Sequence, residues 1–213
     1  MNPESRRVLR EAAEWRLIGL LLECPSGDWR AQVNGIAAEV GDARLTAAVE
    51  AIGDDGTEPL YHTTFGPGGP AAPREVSYHT TLLPGRLLSE LATFYKAFAY
   101  DPTLPEAPDH VAVEAGFVAY LRLKQAYALE AGQAEQADIT ASACGRFIED
   151  HLNAMGEPLA KSLGSSGIPY LAQAAAILLE RVGPRRVMPV ASGDEAARGP
   201  EAAQGCCPDD EDA

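Results

Sequence analysis

Apolar residues recur at intervals of three and four along most of the chain, which is the period of an α-helix with one buried face. The alternation typical of a half-buried strand does not extend beyond the short stretch from Val76 to Leu82. The 213 residues, 46% of them hydrophobic, are enough for one sizeable core. The sequence therefore predicts an all-α protein, a single-domain bundle of about seven to nine helices.

Capping residues and breakers mark where these helices begin and end. Asn2 and Pro3 suit the start of the first helix, whose inward face is predicted to consist of Val8, Ala12 and Trp15. Asp42 and Thr57 are expected to cap two later helices. In a helix nearer the C-terminus, Ile139, Ala143, Phe147 and Met155 are expected to face inward. A further long helix is expected to begin at Asp109, next to Pro108.

The last helix should close at Gly183-Pro184. The residues that follow are rich in alanine, glycine, proline and acids, so they bury too little apolar surface to offset the entropy of ordering them. We predict an all-helical domain over residues 1–183 and a flexible, disordered acidic tail over residues 184–213.

The formal net charge of −14 argues against nucleic-acid binding, which draws its affinity from lysine and arginine. A cationic partner peptide fits better. No run approaches the roughly 18 apolar residues that a membrane span needs, so no stable membrane insertion is expected. The N-terminal segment lacks an apolar export region, and the four cysteines lack the spacing of a disulfide framework. These features predict a cytoplasmic protein.

The segment from Pro105 to Glu114 is the strongest local motif. Asp109 can accept hydrogen bonds from the first turn of a helix, where its charge is also favoured by the helix dipole. A helix start alone would explain this motif. His110, however, has no evident structural role, so its imidazole could contact a peptide or ligand, while Asp109 and Glu114 could meet a cationic side chain.

Pro108, Asp109, His110, Val111 and Glu114 resemble the proline-Asp-His-hydrophobic motif, with a following Glu, of the TorD/DmsD/NarJ family of redox-enzyme maturation chaperones. The resemblance covers roughly Trp15 to Val182, where the helices and the motifs follow the same order as in the family.

Two upstream segments continue the resemblance. Tyr61 and Phe65-Gly66-Pro67-Gly68 stand where the family has aromatic residues before a glycine-containing loop, and Glu75-Val76-Ser77-Tyr78 stands where it has a serine–tyrosine pattern. One departure is Gly116, where many members have leucine in a Glu-Leu-x-Phe sequence. A glycine weakens a helix by roughly 1 kcal/mol relative to alanine, so a close packing contact is expected there.

The resemblance implies a molecular chaperone rather than an enzyme. Its partner would be the immature catalytic subunit of a DMSO reductase-family molybdoenzyme, bound through the twin-arginine signal or N-terminal region while molybdopterin guanine dinucleotide is inserted. The chain itself would hold no stable cofactor. Guanine nucleotide binding, the identity of the client, and a monomeric or helix-exchanged dimeric state are left open.

A signal peptide joins an arginine pair to an apolar helical segment, so its receptor needs carboxylates beside an apolar groove. We expect the carboxylates to come from the motif and from the segment before it, and the apolar lining from the aromatic residues upstream. The predicted client-binding residues are Asp109, His110, Glu114, Tyr61, Phe65, Glu75, Ser77, Tyr78 and Leu82.

Two alternatives stay open, a metal-dependent helical-bundle hydrolase using Asp109, His110 and Glu114, and an acidic helical adaptor for another basic protein. The four histidines lack the HExxH spacing and there is no pair of CxxC elements, so no metal site is predicted. Residues 66–70 lack the Gly-Lys-Ser/Thr ending of a phosphate-binding loop. His151 is expected on a solvated helix surface.

Overall fold

A computed structural model of the chain describes residues 1–80 and 82–185. Within these residues there are nine α-helical segments and no strand, which confirms the predicted all-α fold. They are α1 (Pro3–Leu22), α2 (Trp29–Ala37), α3 (Ala43–Glu50), α4 (Glu58–Phe65), α5 (Pro84–Ala97), α6 (Val111–Glu130), α7 (Ala134–Phe147), α8 (Asn153–Gly164) and α9 (Pro169–Val182). A 3₁₀ turn spans Glu75–Tyr78, and a π-helical turn, Ile148–Leu152, joins α7 to α8.

The predicted tail lies outside the described residues, apart from its first two positions, and the domain boundary at residue 183 stays a prediction. Among the described helices, none has the length and apolar character needed to cross a lipid bilayer.

Local capping chemistry starts several helices as predicted. The Asn2 side chain accepts a hydrogen bond from the Ser5 amide at 2.7 Å, with Pro3 in the first helical position. Asp42 accepts from the amide of Arg44 at 3.0 Å, and Thr57 caps α4. Each cap satisfies an amide that the first turn of a helix would otherwise leave without a partner.

Helices α1 and α6 form the centre of the bundle and make its most extensive helix–helix contact. Both are 20 residues long, and α6 is buried on most sides, with Val113, Phe117 and Leu121 fully enclosed. The other helices pack around this pair, α7 against α6 and α2 and α9 against α1. Any group placed on the inner faces of α1 and α6 is therefore held rigidly.

Glycine allows close approach at two points of this central pair. A β-carbon at Gly19 would lie 3.2 Å from the carbonyl oxygen of Ala112 and 3.6 Å from the β-carbon of Ala115. A β-carbon at Gly116 would lie 2.9 Å from the hydroxyl of Tyr100. The close packing contact expected at Gly116 is thus confirmed.

The predicted inner face of α7 was wrong at Ile139, whose side chain is 56% exposed. The buried face of α7 instead consists of Ala137, Thr140, Cys144 and Phe147. Apolar spacing pointed to Ile139 because two members of the true face, an alanine and a threonine, carry little hydrophobic signal.

Replacing Gly19 by leucine should destabilise the fold by about 1–3 kcal/mol, because the larger side chain must push α1 away from the backbone of α6. Gly145 in α7 provides a matched control, since a β-carbon there meets no neighbour within 4 Å. Gly145→Leu should leave stability unchanged or raise it slightly, because leucine favours the helix. Urea unfolding followed by circular dichroism measures both. Equal effects of the two substitutions would contradict the close α1–α6 contact.

Candidate functional site

The segment before the 3₁₀ turn is bound to the start of α6 through its backbone. The Glu75 amide donates to the carbonyl of Asp109 at 2.8 Å, and the Val111 amide donates to the carbonyl of Pro73 at 2.8 Å. These bonds form an isolated antiparallel bridge between Arg74 and His110. Two segments that are distant in sequence, and that both carry predicted site residues, therefore meet here.

Asp109 is fully buried, and its carboxylate holds this junction together. Its Oδ1 atom accepts from Nε and Nη2 of Arg74, both at 2.8 Å, and its Oδ2 atom accepts from the Val76 amide at 3.3 Å. The prediction that Asp109 begins the long helix was wrong. The helix begins at Val111, and the Asp109 carboxylate is directed to the preceding segment instead.

His110 takes the capping role that was expected of Asp109. Its Nδ1 atom accepts from the Ala112 amide at 3.1 Å, and its Nε2 atom lies 2.8 Å from the Tyr61 hydroxyl, which itself donates to Glu106 at 3.2 Å. These contacts fit a neutral ring with its proton on Nε2. Burial lowers the pKa of His110 to about 4, despite the nearby carboxylates of Glu106 and Asp109. His110 therefore has a structural role that the sequence did not reveal.

Glu75 is also fully buried and is a partner of two histidines. Its two carboxylate oxygens lie 2.9 Å from Nε2 of His79 and 3.0 Å from Nδ1 of His151. His151, expected on a solvated surface, is 2% exposed and packs against the rings of Phe94 and Phe147. The two acids before it, Glu149 and Asp150, suggested a solvated position, but His151 lies four residues after the buried Phe147, in the π-helical turn Ile148–Leu152.

Glu114 lies in the same interior and is fully buried. Neither of its carboxyl oxygens accepts a hydrogen bond from any described residue. Burial raises the pKa of Glu114 well above its ordinary value, and the Glu75 carboxylate raises it further. The protonated form of Glu114 is therefore favoured, and its proton can be donated to Glu75, which relieves the repulsion between the two groups.

The remaining predicted residues do not form an open groove. Tyr61 and Phe65 belong to the core at 5% and 7% exposure, and Tyr78 and Leu82 are partly buried against it. Ser77 is exposed. The structure thus brings the predicted residues to one region, but mostly as its interior.

An open groove does lie on the other side of the α6 N-terminus, between α1 and α6. It has a volume of about 980 Å³ and is completed by residues of α2 and of the segment 99–104. Leu9 and Leu123 line it at 37% and 50% exposure, and Ala112 and Gly116 contribute the α6 wall. Apolar side chains left in contact with water on a concave surface are typical of a binding site.

The groove also carries charge of both signs. Arg6, Arg10 and Arg16 lie along its α1 side, with Glu39 and Asp101 among the other lining residues. The sequence did not predict this groove because its lining comes from four segments far apart in the chain. The available signal was Leu9 and Leu123, two leucines that lie off the buried faces of their helices.

Glu114→Gln should increase stability at neutral pH, and the increase should grow with pH. The raised pKa means that the folded wild type binds more protons than the unfolded chain above about pH 4.5, so wild-type stability falls as pH rises towards the folded pKa. Glutamine is neutral at every pH and removes this loss. Urea unfolding at a series of pH values measures it. Glu135→Gln, an exposed control on α7, should not change the pH profile, and an unaltered profile in Glu114→Gln would contradict a neutral Glu114.

The pKa of His110, lowered to about 4, should make the fold sensitive to acid. Between pH 6.5 and 4 the unfolded chain binds the proton and the folded chain does not, so about 3 kcal/mol of stability is lost as pH falls. His110→Asn keeps an N-cap acceptor without a titrating ring, and its stability should change less over this range. His62→Asn, at an exposed histidine, is the control. Equal acid sensitivity in wild type and His110→Asn would refute this assignment.

Comparison with known proteins agrees with this architecture. A family model described as nitrate reductase delta subunit matches residues 29–161, a range that contains all nine predicted binding residues and the whole of α6. No curated protein and no solved structure matches the chain. Because the match covers more than half of its residues, the chain belongs to the nitrate reductase delta subunit family, the NarJ/TorD-type chaperones of redox-enzyme maturation.

Proposed function

We propose that this protein is a cytoplasmic chaperone that binds the N-terminal region, with its twin-arginine signal, of a DMSO reductase-family molybdoenzyme catalytic subunit. It would hold that subunit while molybdopterin guanine dinucleotide is inserted, without catalysing a reaction itself. The observation that supports this most directly is the open apolar groove of about 980 Å³ between α1 and α6. Family membership supports the chaperone role.

The groove suits an apolar helical segment. Leu9 of α1 and Leu123 of α6 both line it and are both partly in water. Tyr127, four residues after Leu123 and 74% exposed, extends the apolar face of α6 by one turn. A helix laid along this face would remove these side chains from water, at about 25 cal/mol for each Å² of apolar surface covered. This is the helix-in-groove mode of peptide recognition.

The charges around the groove provide an orientation for the peptide. Asp101 and Glu39 are exposed and can each pair with an arginine of a twin-arginine signal. Arg6 and Arg10, on the α1 side, would repel that pair and favour the C-terminal end of a bound helix, where the helix dipole is negative. We therefore place the arginine pair of the client near Asp101 or Glu39.

The Asp109–His110–Glu114 motif would support the wall of the groove from the interior of the protein. His110 fixes the first turn of α6 through the amide of Ala112, and Ala112 is itself part of the groove wall. The motif would thus position the wall rather than contact the client. A hydrolase based on these three residues gains no support, because all three side chains are buried against their own chain.

Leu123→Asp should weaken binding of a twin-arginine signal peptide at least about tenfold, because it places a charge in the apolar wall, and a tenfold loss equals about 1.4 kcal/mol. Isothermal titration calorimetry with synthetic signal peptides, taken from the molybdoenzyme catalytic subunits of the source genome, measures the dissociation constant. Ile139→Asp is the matched control, since Ile139 is 56% exposed but lies on α7, outside the groove.

Two results would overturn the proposal. One is a panel in which no signal peptide binds the wild-type protein. The other is equal affinity for wild type and Leu123→Asp. A pull-down that recovers a cofactor-free catalytic subunit with wild type, and less of it with Leu123→Asp, would support the wider chaperone role.

A further inference from the structure

Three side chains with metal-ligating atoms meet near the end of α1. Cys24 follows α1, and Glu58 and His62 lie four residues apart on one face of α4. One ligand atom from each residue, a sulfur, an oxygen and a nitrogen, lies within 4.8 Å of the other two. This is the mixed donor set that zinc binds in proteins.

One of the three ligand separations already matches a tetrahedral site. Zinc bonds of about 2.0–2.3 Å place neighbouring ligand atoms about 3.4–3.6 Å apart. The Nε2 atom of His62 and the Oε1 atom of Glu58 are already 3.4 Å apart. Both side chains are 61% exposed, so small rotations can bring them to the sulfur without disturbing the core.

The electrostatic surroundings favour a cation. The carboxylates of Glu58, Glu106 and Glu23 lie near enough to Cys24 to act on it electrostatically. The same negative charges that disfavour a free thiolate are neutralised when a divalent ion binds, and the ion deprotonates the thiol that ligates it.

A simple ion pair between Glu58 and His62 is the alternative explanation, since such pairs are common at this spacing on a helix. That pair requires no thiol. The sulfur of Cys24, brought in from another segment, is what separates a metal site from a surface ion pair. Sequence spacing could not reveal it, because the ligands lie on two segments and form no local motif.

We propose that Cys24, Glu58 and His62 bind one divalent transition-metal ion of the zinc class. Thiolate and imidazole ligands select zinc-class ions over magnesium and calcium. Three protein ligands leave the fourth position of the ion for water. Structural zinc sites, in contrast, are closed by four protein ligands. The bound ion would join the end of α1 to α4. The sequence analysis predicted no metal site, so this proposal departs from that expectation.

Titration of the full chain with Co²⁺ tests the proposal, because cobalt bound to a thiolate gives a near-ultraviolet sulfur-to-cobalt charge-transfer band. Cys206 and Cys207 are first replaced together by serine, so that tail thiols do not contribute. We expect a band that saturates at one equivalent of cobalt. Cys24→Ser should abolish it, and His62→Ala should weaken cobalt binding about tenfold or more.

Glu58→Gln and Glu90→Gln form a matched pair, since both glutamates take part in an i,i+4 ion pair on a helix surface. Only Glu58→Gln should weaken cobalt binding. Circular dichroism confirms that each variant is folded. A missing band, or a band that survives Cys24→Ser, overturns the proposal. Leu123→Asp should bind cobalt as the wild type does, so failure of the metal site and failure of the client groove are separate results.

Discussion

The buried carboxylate of Asp109 is the constraint on which the site region depends. A carboxylate removed from water costs several kcal/mol unless charged or hydrogen-bonding partners replace the water. Here Arg74 and the Val76 amide replace it, and both belong to the segment before α5. If that segment moved away from α6, the buried carboxylate would lose these partners and its desolvation would no longer be offset. The segment and the start of α6 therefore stay together. The first turn of α6, and with it one wall of the groove, is positioned as a result.

The same interior could not hold three ionised acids. Glu75, Asp109 and Glu114 are all fully buried, and Arg74 is an ion-pair partner of Asp109. Burial raises the pKa of Glu114 and so favours its protonated form, and the ring nitrogens of His79 and His151 lie within hydrogen-bond distance of Glu75. The neutral His110 adds no charge of its own. The paired members of this network, Asp109 with Arg74 and Glu75 with two histidines, favour one packing of the segments they join.

Local features of this fold could be predicted from the sequence, and features built from distant segments could not. The caps at Asn2, Asp42 and Thr57 depend on residues two or three positions away, and the apolar period gave the helices themselves. The partner of Asp109 lies 35 residues away at Arg74. His151 is buried against the carboxylate of Glu75, which lies 76 residues away in the chain. The groove gathers four segments, so none of them carries its pattern alone.

Stability depends on the buried motif more than on the exposed walls of the groove. The Asp109–His110–Glu114 contacts lie within the chain, so changes there alter folding and groove shape together. Side chains such as Leu9 and Leu123 face the groove and support little of the core, so they can vary without unfolding the protein. The wall formed by α1 lies before the residues that the family model matches. The buried contacts of Asp109, His110 and Glu114 can thus hold the scaffold, while, on the proposed function, the exposed walls of the groove would determine which client binds.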